Sequence, residues 1–240
     1  MRPQSIIQLS YGVPCLLAYL VSIVTVLSMN KNRISGSFTT IFISTALINI
    51  LCYINTWIVY RLRAESFFFF YYEWGEDSIV ADIHFFLLFY FNYSQHMCAF
   101  LLTLNSFTAI ILPTFHNRVW LHRYPFFIIG AHLVAAAVPV GVTFPMDGTF
   151  TFDCANGAYR VVSSNIVSPA SPYLQAIYGC LMLVVCAGAN IACFVRLRSM
   201  QNSAVRKKEI SFMIISFCIF VIQALNIVVS VSAIQLRWLL

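Results

Sequence analysis

Six long uncharged apolar stretches run along the chain, and short polar segments separate them. Each is long enough to cross a bilayer as a helix, which takes about 20 residues. They cover residues 6–29, 37–60, 85–112, 124–144, 172–195 and 210–236. The pattern therefore predicts an all-α membrane protein, with a single transmembrane domain over residues 1–240 and six spans.

Polar residues inside the second and third spans are arranged in stripes. At about 100° per residue, five polar side chains of span three fall within a third of the helix circumference; they are Asn92, Gln95, His96, Thr103 and Ser106. Span two repeats the pattern with Thr45, Asn49, Tyr53, Thr56 and Tyr60. Unsatisfied polar groups are costly in hydrocarbon, so both stripes should face other helices or a shared cavity.

Two explanations of the stripes stay open at this stage. Hydrogen bonds between helices would satisfy these groups, above all the deep Asn49 and Thr103. Alternatively, the residues nearer one membrane surface line a cavity for a small molecule. The candidates for that ligand site are Tyr53, Tyr60, Asn92, Gln95 and His96.

The two longest connections also carry local signals. Thr149 to Phe152 alternate polar and apolar residues, and Asn156-Gly157 suits a tight turn before a return over residues 158–162. A short β-hairpin or an irregular loop fits this segment. The aromatic run Ser66 to Tyr72 either extends span two or lies in the headgroup region, where aromatic rings are favoured.

Composition and charge support membrane insertion. Apolar residues make up 60% of the chain and charged residues 9%, which is too little polarity to cover a soluble domain of this size. The net charge of +6 reflects the orientation of the chain in the membrane rather than nucleic-acid binding. The connections after spans one, three and five hold nine Lys and Arg residues, and the rest of the chain holds five. By the positive-inside rule, the N-terminus faces outwards.

Catalytic and metal sites find little support in the sequence. The five histidines show no metal-ligand spacing, and there is no nucleophile elbow or Gly-rich phosphate loop. We therefore predict no enzyme activity, cofactor or metal. A solute transporter is a weak third possibility, because the only ionisable side chains inside spans are histidines. Cys154 alone among eight cysteines lies in an outer connection, and no disulfide is predicted.

The end of span three resembles a known family. Leu102 to Pro113 reads LTLNSFTAIILP and leads into a loop that ends on Trp120. This is similar to the nematode serpentine chemoreceptors, most closely class gamma and its class V relatives. Further similarity lies in Tyr11-Gly12-Val13-Pro14, in Leu47 to Leu51 with Asn55 and Trp57, and in Pro169-Ala170-Ser171.

The resemblance implies a seven-helix receptor of the G-protein-coupled kind, in the plasma membrane of sensory cells, with its N-terminus outside. It would bind a small chemical and signal to a heterotrimeric G protein. Two loop regions and the end of span three would face that protein. The residues are Asn105, Ser106, Arg118, Arg123, Arg196, Arg198, Arg206, Lys207 and Lys208.

Two departures from the family pattern bear on signalling. Ser106 stands where the family carries Arg, so the permanent cation at that position is missing. Only six spans are predicted where the family has seven. Either change would impair signalling, and the alternative function is a non-signalling membrane protein that pairs with full-length receptors.

Overall fold

The computed structural model describes residues 3–28, 36–76, 79–143, 148–163 and 170–199, together with Ile214, Phe217 and Val221. Helices dominate this part of the chain. The long ones are α1 (Pro3–Ser28), α2 (Gly36–Tyr60), α4 (Val80–Ile111), α5 (Pro113–Thr143) and α6 (Ala170–Ser199). A short helix, α3 (Phe69–Gly75), lies between α2 and α4.

Four of the described helices are long and apolar enough to cross a membrane: Gly36–Ala64, Val80–Ile111, His122–Val140 and Tyr173–Ser199. They coincide with the second to fifth predicted spans. In α1 the apolar helical stretch Gly12–Ser28 is shorter. The predicted sixth span, 210–236, lies outside the described residues apart from single positions, so the count of six stays a prediction. A helix suits an apolar sequence in lipid because it satisfies every backbone polar group internally.

Pro113 separates the two longest helices. Helix α4 ends at Ile111, Leu112 is non-helical, and Pro113 is the first residue of α5. Proline is favoured at this position because its missing N–H would have no intrahelical partner there. The backbone N–H of His116 donates to the carbonyl of Leu112 at 2.8 Å, so the chain turns helical again at once. The connection between predicted spans three and four is therefore helix rather than loop.

The predicted β-hairpin is confirmed. Strand β1 (Gly148–Asp153) pairs antiparallel with β2 (Ala158–Ser163). Gly157 in the turn has a φ of +56°, which a residue without a Cβ adopts readily. The Asp153 carboxylate accepts hydrogen bonds from the Asn156 amide at 2.7 Å and from the Ala155 N–H at 3.1 Å. These hydrogen bonds lower the pKa of Asp153, and the bond from the Asn156 side chain contributes most.

The aromatic run after α2 forms structure of its own. Residues Leu62–Ala64 and Ser66–Phe68 make two 3-10 turns, and α3 follows. The aromatic side chains then pack against the hairpin, and Tyr72, Ala81, Phe150 and Tyr159 form a buried cluster. The run is therefore not an extension of α2.

The chain divides into two compact units. The hairpin unit comprises Met1–Ser28, Ala46–Tyr93 and Ala135–Ser168. The α6 unit comprises Met29–Thr45, Ser94–Val134 and Pro169–Leu240. Its buried cluster consists of Phe38, Ile41, Leu101, Leu102, Trp120 and Ala131.

Candidate functional site

A polar network in the hairpin unit joins α2, α3 and α4. The Asn55 side-chain N–H₂ donates to the backbone carbonyl of His84 at 3.1 Å, and its oxygen lies 2.7 Å from His84 Nδ1. On the other side of the imidazole, the Tyr71 hydroxyl hydrogen-bonds with Nε2. Asn55 is buried, and His84 and Tyr71 are half-buried.

This network fixes the tautomer of His84. Because the Asn55 nitrogen is committed to a carbonyl, its side-chain oxygen must be the atom that faces Nδ1. The imidazole therefore carries its proton on Nδ1 and donates it to Asn55, while Nε2 accepts from Tyr71. The His84 ring is thus held by Asn55 on one side and by Tyr71 on the other.

Two further bonds hold the short helix and the hairpin in place. The Tyr72 hydroxyl donates to the Ile58 carbonyl near the end of α2. The Gly148 N–H, at the start of β1, donates to the Asp82 carboxylate at 2.6 Å. Tyr72 is fully buried among the rings of Phe150 and Tyr159, with ring centroids 5.1 and 5.4 Å away.

Burial also affects the ionisation of these tyrosines. It raises the pKa of Tyr72, and it raises that of Tyr159, where the carboxylates of Glu73 and Glu76 add to the effect. Both hydroxyls therefore stay protonated at neutral pH and remain hydrogen-bond donors.

Three of the predicted ligand residues lie in the hairpin unit. The Tyr53 hydroxyl is buried without a hydrogen-bond partner among the described residues. It lies directly on Gly12 of α1, since a Cβ added there would come within 1.8 Å of it. The Asn92 side-chain oxygen is likewise buried and unpartnered among the described residues. Tyr60, at the end of α2, is exposed.

The other two predicted ligand residues lie in the α6 unit. His96 is 7% exposed, and its ring faces Tyr178 of α6 edge-on, with centroids 5.9 Å apart. Gln95, the preceding residue of α4, is half-buried. His96 therefore contacts another helix, as both explanations of the polar stripe allow.

Helices α4 and α6 run parallel in this unit, with a constant register. His96 faces Tyr178, Thr103 hydrogen-bonds with Cys186, and Ile110 packs in one cluster with Cys193. The two residue numbers differ by 82, 83 and 83 in these three pairs. A parallel pair of helices with this register brings the turn that carries Ser106 level with the turn that carries Asn190.

Ser106 and Asn190 are both left with an unused hydrogen-bonding atom. Ser106 is 3% exposed and Asn190 is 7% exposed. Among the described residues, neither the Ser106 Oγ nor the Asn190 Nδ2 has a partner. A hydroxyl oxygen and an amide N–H₂ are complementary hydrogen-bonding groups.

Neighbouring polar residues of α4 are paired with other helices. The Ser37 hydroxyl donates to the Asn105 side-chain oxygen at 3.0 Å, and Asn105 is buried. At the α4–α5 junction, Thr108 Oγ1 lies 3.0 Å from His116 Nδ1, and the His116 ring stacks on Trp120. Burial lowers the pKa of His116, so this imidazole resists protonation.

Comparison with known proteins supplies the identity of the fold. Residues 5–238 match the sequence profile of a family described as Srg family chemoreceptor. The chain belongs to the Srg chemoreceptor family. Serpentine receptor class gamma-31 of Caenorhabditis elegans is 22% identical over 231 residues, which cover 90% of this chain and 71% of that receptor. The resemblance drawn from the end of span three is thus confirmed, and the chain is an integral membrane protein of the GPCR-like chemoreceptor type.

The Srg motif at the end of α4 is buried. Asn105 and Ser106, both predicted to face a G protein, are each 3% exposed. The basic residues predicted to face the G protein differ from Asn105 and Ser106 in their exposure. Four arginines are exposed, namely Arg118 and Arg123 in α5 and Arg196 and Arg198 at the end of α6, whereas Arg206, Lys207 and Lys208 lie outside the described residues.

Sequence reasoning missed the main polar network of this Srg chemoreceptor. Asn55 was noticed only as part of the family resemblance, because it lies off the polar stripe of span two. His84 falls just before the predicted start of span three, and Tyr71 lies in the aromatic run. Within the described residues, no group of three or more His, Cys, Asp or Glu side chains could hold a metal ion.

Proposed function

We propose that this Srg chemoreceptor binds a small-molecule chemical cue and signals to a heterotrimeric G protein. It would do so in the plasma membrane of sensory cells, with its N-terminus outside. The observation that carries the ligand site is the pair of unpartnered polar atoms in the hairpin unit, the Tyr53 hydroxyl and the Asn92 side-chain oxygen.

These two atoms indicate which hydrogen-bonding groups a ligand would carry. A buried polar group without a partner costs about 1–3 kcal/mol, and a bound molecule that supplies the partner recovers this energy. The Asn92 oxygen only accepts, while the Tyr53 hydroxyl donates or accepts. The preferred ligand is therefore a small, mainly apolar molecule with a hydroxyl, amine or amide donor. Tyr60, Gln95 and His96 remain further ligand candidates on the polar stripes.

The proposed G-protein side rests on charge. Arg118, Arg123, Arg196 and Arg198 are exposed, and the positive-inside rule assigns the connections between predicted spans that carry them to the cytoplasm. Arg206, Lys207 and Lys208 continue the same charge in sequence. The same cations also attract anionic lipid, at about 1 kcal/mol each. Substituting these cations therefore tests the orientation of the receptor in the membrane as well as its coupling to the G protein.

The ligand proposal is tested by a functional screen. Cells that express the receptor with a calcium-linked G protein would be exposed to a panel of small alcohols, ketones, amines and carboxylic acids. Tyr53→Phe and Asn92→Leu each remove one unpartnered polar atom. An active compound should lose about tenfold or more in potency on either variant, since 1.4 kcal/mol corresponds to a factor of ten.

A matched control separates recognition from general damage. Tyr173→Phe also removes a single hydroxyl, but from an exposed residue at the start of α6. It should leave the potency unchanged. Equal potency on Tyr53→Phe, Asn92→Leu and the unaltered receptor would refute the ligand site.

The G-protein proposal is tested by nucleotide exchange in membranes that contain purified heterotrimers. Ser106→Arg restores the cation that the family carries, and we expect it to raise basal or ligand-driven exchange. Ser106→Ala removes the hydroxyl without adding charge and should not. If no compound and neither variant changes exchange, while the chain co-purifies with full-length relatives, a non-signalling pairing role replaces the proposal. Uptake of a labelled solute into vesicles, lost on His96 substitution, would instead indicate transport.

A further inference from the structure

Helix α3 and the 3-10 turn Ser66–Phe68 before it carry an exposed aromatic stripe. Phe67, Phe70 and Trp74 are 61%, 64% and 71% exposed. Their spacing of three and four residues places them on one side of the helical segment. Large aromatic side chains exposed in a contiguous group mark an interaction surface rather than ordinary surface variation.

The opposite side of the segment is firmly attached, which fixes the direction of the stripe. Tyr71 hydrogen-bonds with His84 of α4, and Tyr72 donates to the Ile58 carbonyl of α2. Phe68 packs on Tyr72 with ring centroids 5.9 Å apart. The helix therefore cannot turn its aromatic stripe inwards without breaking these contacts.

The chain on both sides keeps this helix near the membrane boundary. The apolar helix that includes α2 ends at Ala64, and the next one begins at Val80. Three residues of chain reach about 10 Å at most, so Phe67 lies within that distance of Ala64, where the helix that includes α2 ends. The headgroup layer is about 5–8 Å thick on each side of a 30 Å hydrocarbon core. Phe67 therefore lies close to the headgroup layer beyond that helix end, and Phe70 and Trp74 lie on the same side of the segment.

We propose that Phe67, Phe70 and Trp74 anchor the hairpin unit in the headgroup layer of the bilayer that the receptor spans. Tryptophan and phenylalanine are favoured at this depth because their rings leave water while remaining close to polar groups. Glu73 and Glu76 are exposed on the same helical segment. Their charge disfavours anionic lipid, so the lipid partner is zwitterionic, such as phosphatidylcholine.

A second copy of the chain is a weaker candidate for this surface. A buried aromatic side chain contributes about 150–250 Å². Three of them supply at most about 450–750 Å², less than the roughly 800 Å² per partner of a standard protein interface. Insertion into lipid requires no minimum contact area, because each aromatic ring partitions into the headgroup layer independently of the others.

The test uses the fluorescence of Trp74 in nanodiscs of phosphatidylcholine that hold one receptor each. Subtracting the emission of Trp74→Phe from that of the unaltered protein isolates the Trp74 signal, and this exposed residue can change without disturbing the core. Lipids carrying a spin label on the headgroup should quench the Trp74 signal at least twofold more strongly than lipids brominated deep in the acyl chain.

Trp57 provides the matched comparison. It lies in α2, three residues before that helix ends at Tyr60 and seven before the apolar helical segment ends at Ala64, or about 10 Å deeper than Ala64 at 1.5 Å per residue. The signal isolated with Trp57→Phe should therefore favour the brominated lipids. A Trp74 signal that aqueous iodide quenches, and neither lipid does, would overturn the proposal. So would quenching that is lost when two receptors share a nanodisc, because the stripe would then prefer a second copy to lipid.

Discussion

Asn55 holds His84 at two points, through its side-chain N–H₂ to the backbone carbonyl and through its oxygen to Nδ1 of the ring. One side chain of α2 thus fixes both the position of α4 and the proton location on its histidine. Tyr71 of α3 completes the arrangement at Nε2. A buried amide and one imidazole therefore link three helices.

The first prediction concerns that amide. Asn55→Leu leaves the His84 Nδ1–H without its acceptor, and we expect a loss of about 1–3 kcal/mol in the free energy of unfolding. For a chain of this size, each kcal/mol lowers Tm by about 2–4 °C. Thermal unfolding in nanodiscs measures the change. Ile54→Leu, at the exposed neighbouring position, should have almost no effect, and equal Tm values for the two variants would contradict the role of Asn55.

A second prediction tests how the hairpin is attached. Asp82→Ala removes the charged acceptor of the Gly148 N–H, a bond of about 1.5–3 kcal/mol. Hydrogen exchange at residues 148–152 should speed up about tenfold or more, provided that the attachment limits local opening. Asp82→Asn keeps an acceptor oxygen and should fall in between. Unchanged exchange in Asp82→Ala would mean that the aromatic cluster alone holds the hairpin.

A third prediction concerns the contact between α1 and α2. Gly12→Ala places a Cβ 1.8 Å from the Tyr53 hydroxyl, so the Tyr53 ring or one of the two helices must shift, at a cost of about 1–3 kcal/mol. Tyr53→Leu in the same chain should restore most of the lost stability. Gly130→Ala is the control, because nothing lies within 4 Å of its added Cβ. It should be neutral or stabilising by up to about 1 kcal/mol.

A fourth prediction follows from His116. Its lowered pKa means that the folded protein binds a proton here less readily than the unfolded chain, whose pKa is about 6.5. Stability is therefore complete above about pH 6.5 and falls as the pH drops through the folded-state pKa. His116→Gln should reduce the fall in Tm between pH 7.5 and 5.5. His122→Gln, at an exposed position of the same helix, should leave it unchanged; if both variants behave alike, His116 is not responsible.

Local signals in the sequence predicted the regular structure well. Long apolar stretches identify membrane helices because lipid leaves the backbone no other partner, and Asn156-Gly157 identifies the hairpin because its turn needs a positive φ. Pro113 marks a helix boundary because proline itself lacks the backbone N–H, which is also a local effect. Each of these signals involves residues that are close in sequence.

Tertiary partners were harder to predict. Asn55 and His84 are 29 residues apart, and the pairing depends on how α2 and α4 pack rather than on either helix alone. Asn105, which stays a predicted G-protein-facing residue, is buried and accepts a hydrogen bond from Ser37, 68 residues away, and the sequence of α4 does not indicate that pairing. The predicted ligand residues remain predictions, supported at Tyr53 and Asn92 by their unused polar atoms.

The constant register between α4 and α6 has a consequence for biosynthesis. Each α4 side chain in these pairs precedes its partner by 82 or 83 residues, as His96 does Tyr178. At about 5–20 residues per second, that is roughly 4–17 s of synthesis. During this interval the polar face of α4 is in the membrane before α6 exists. Chaperones or components of the insertion machinery that shield a polar helix would therefore act on α4 first.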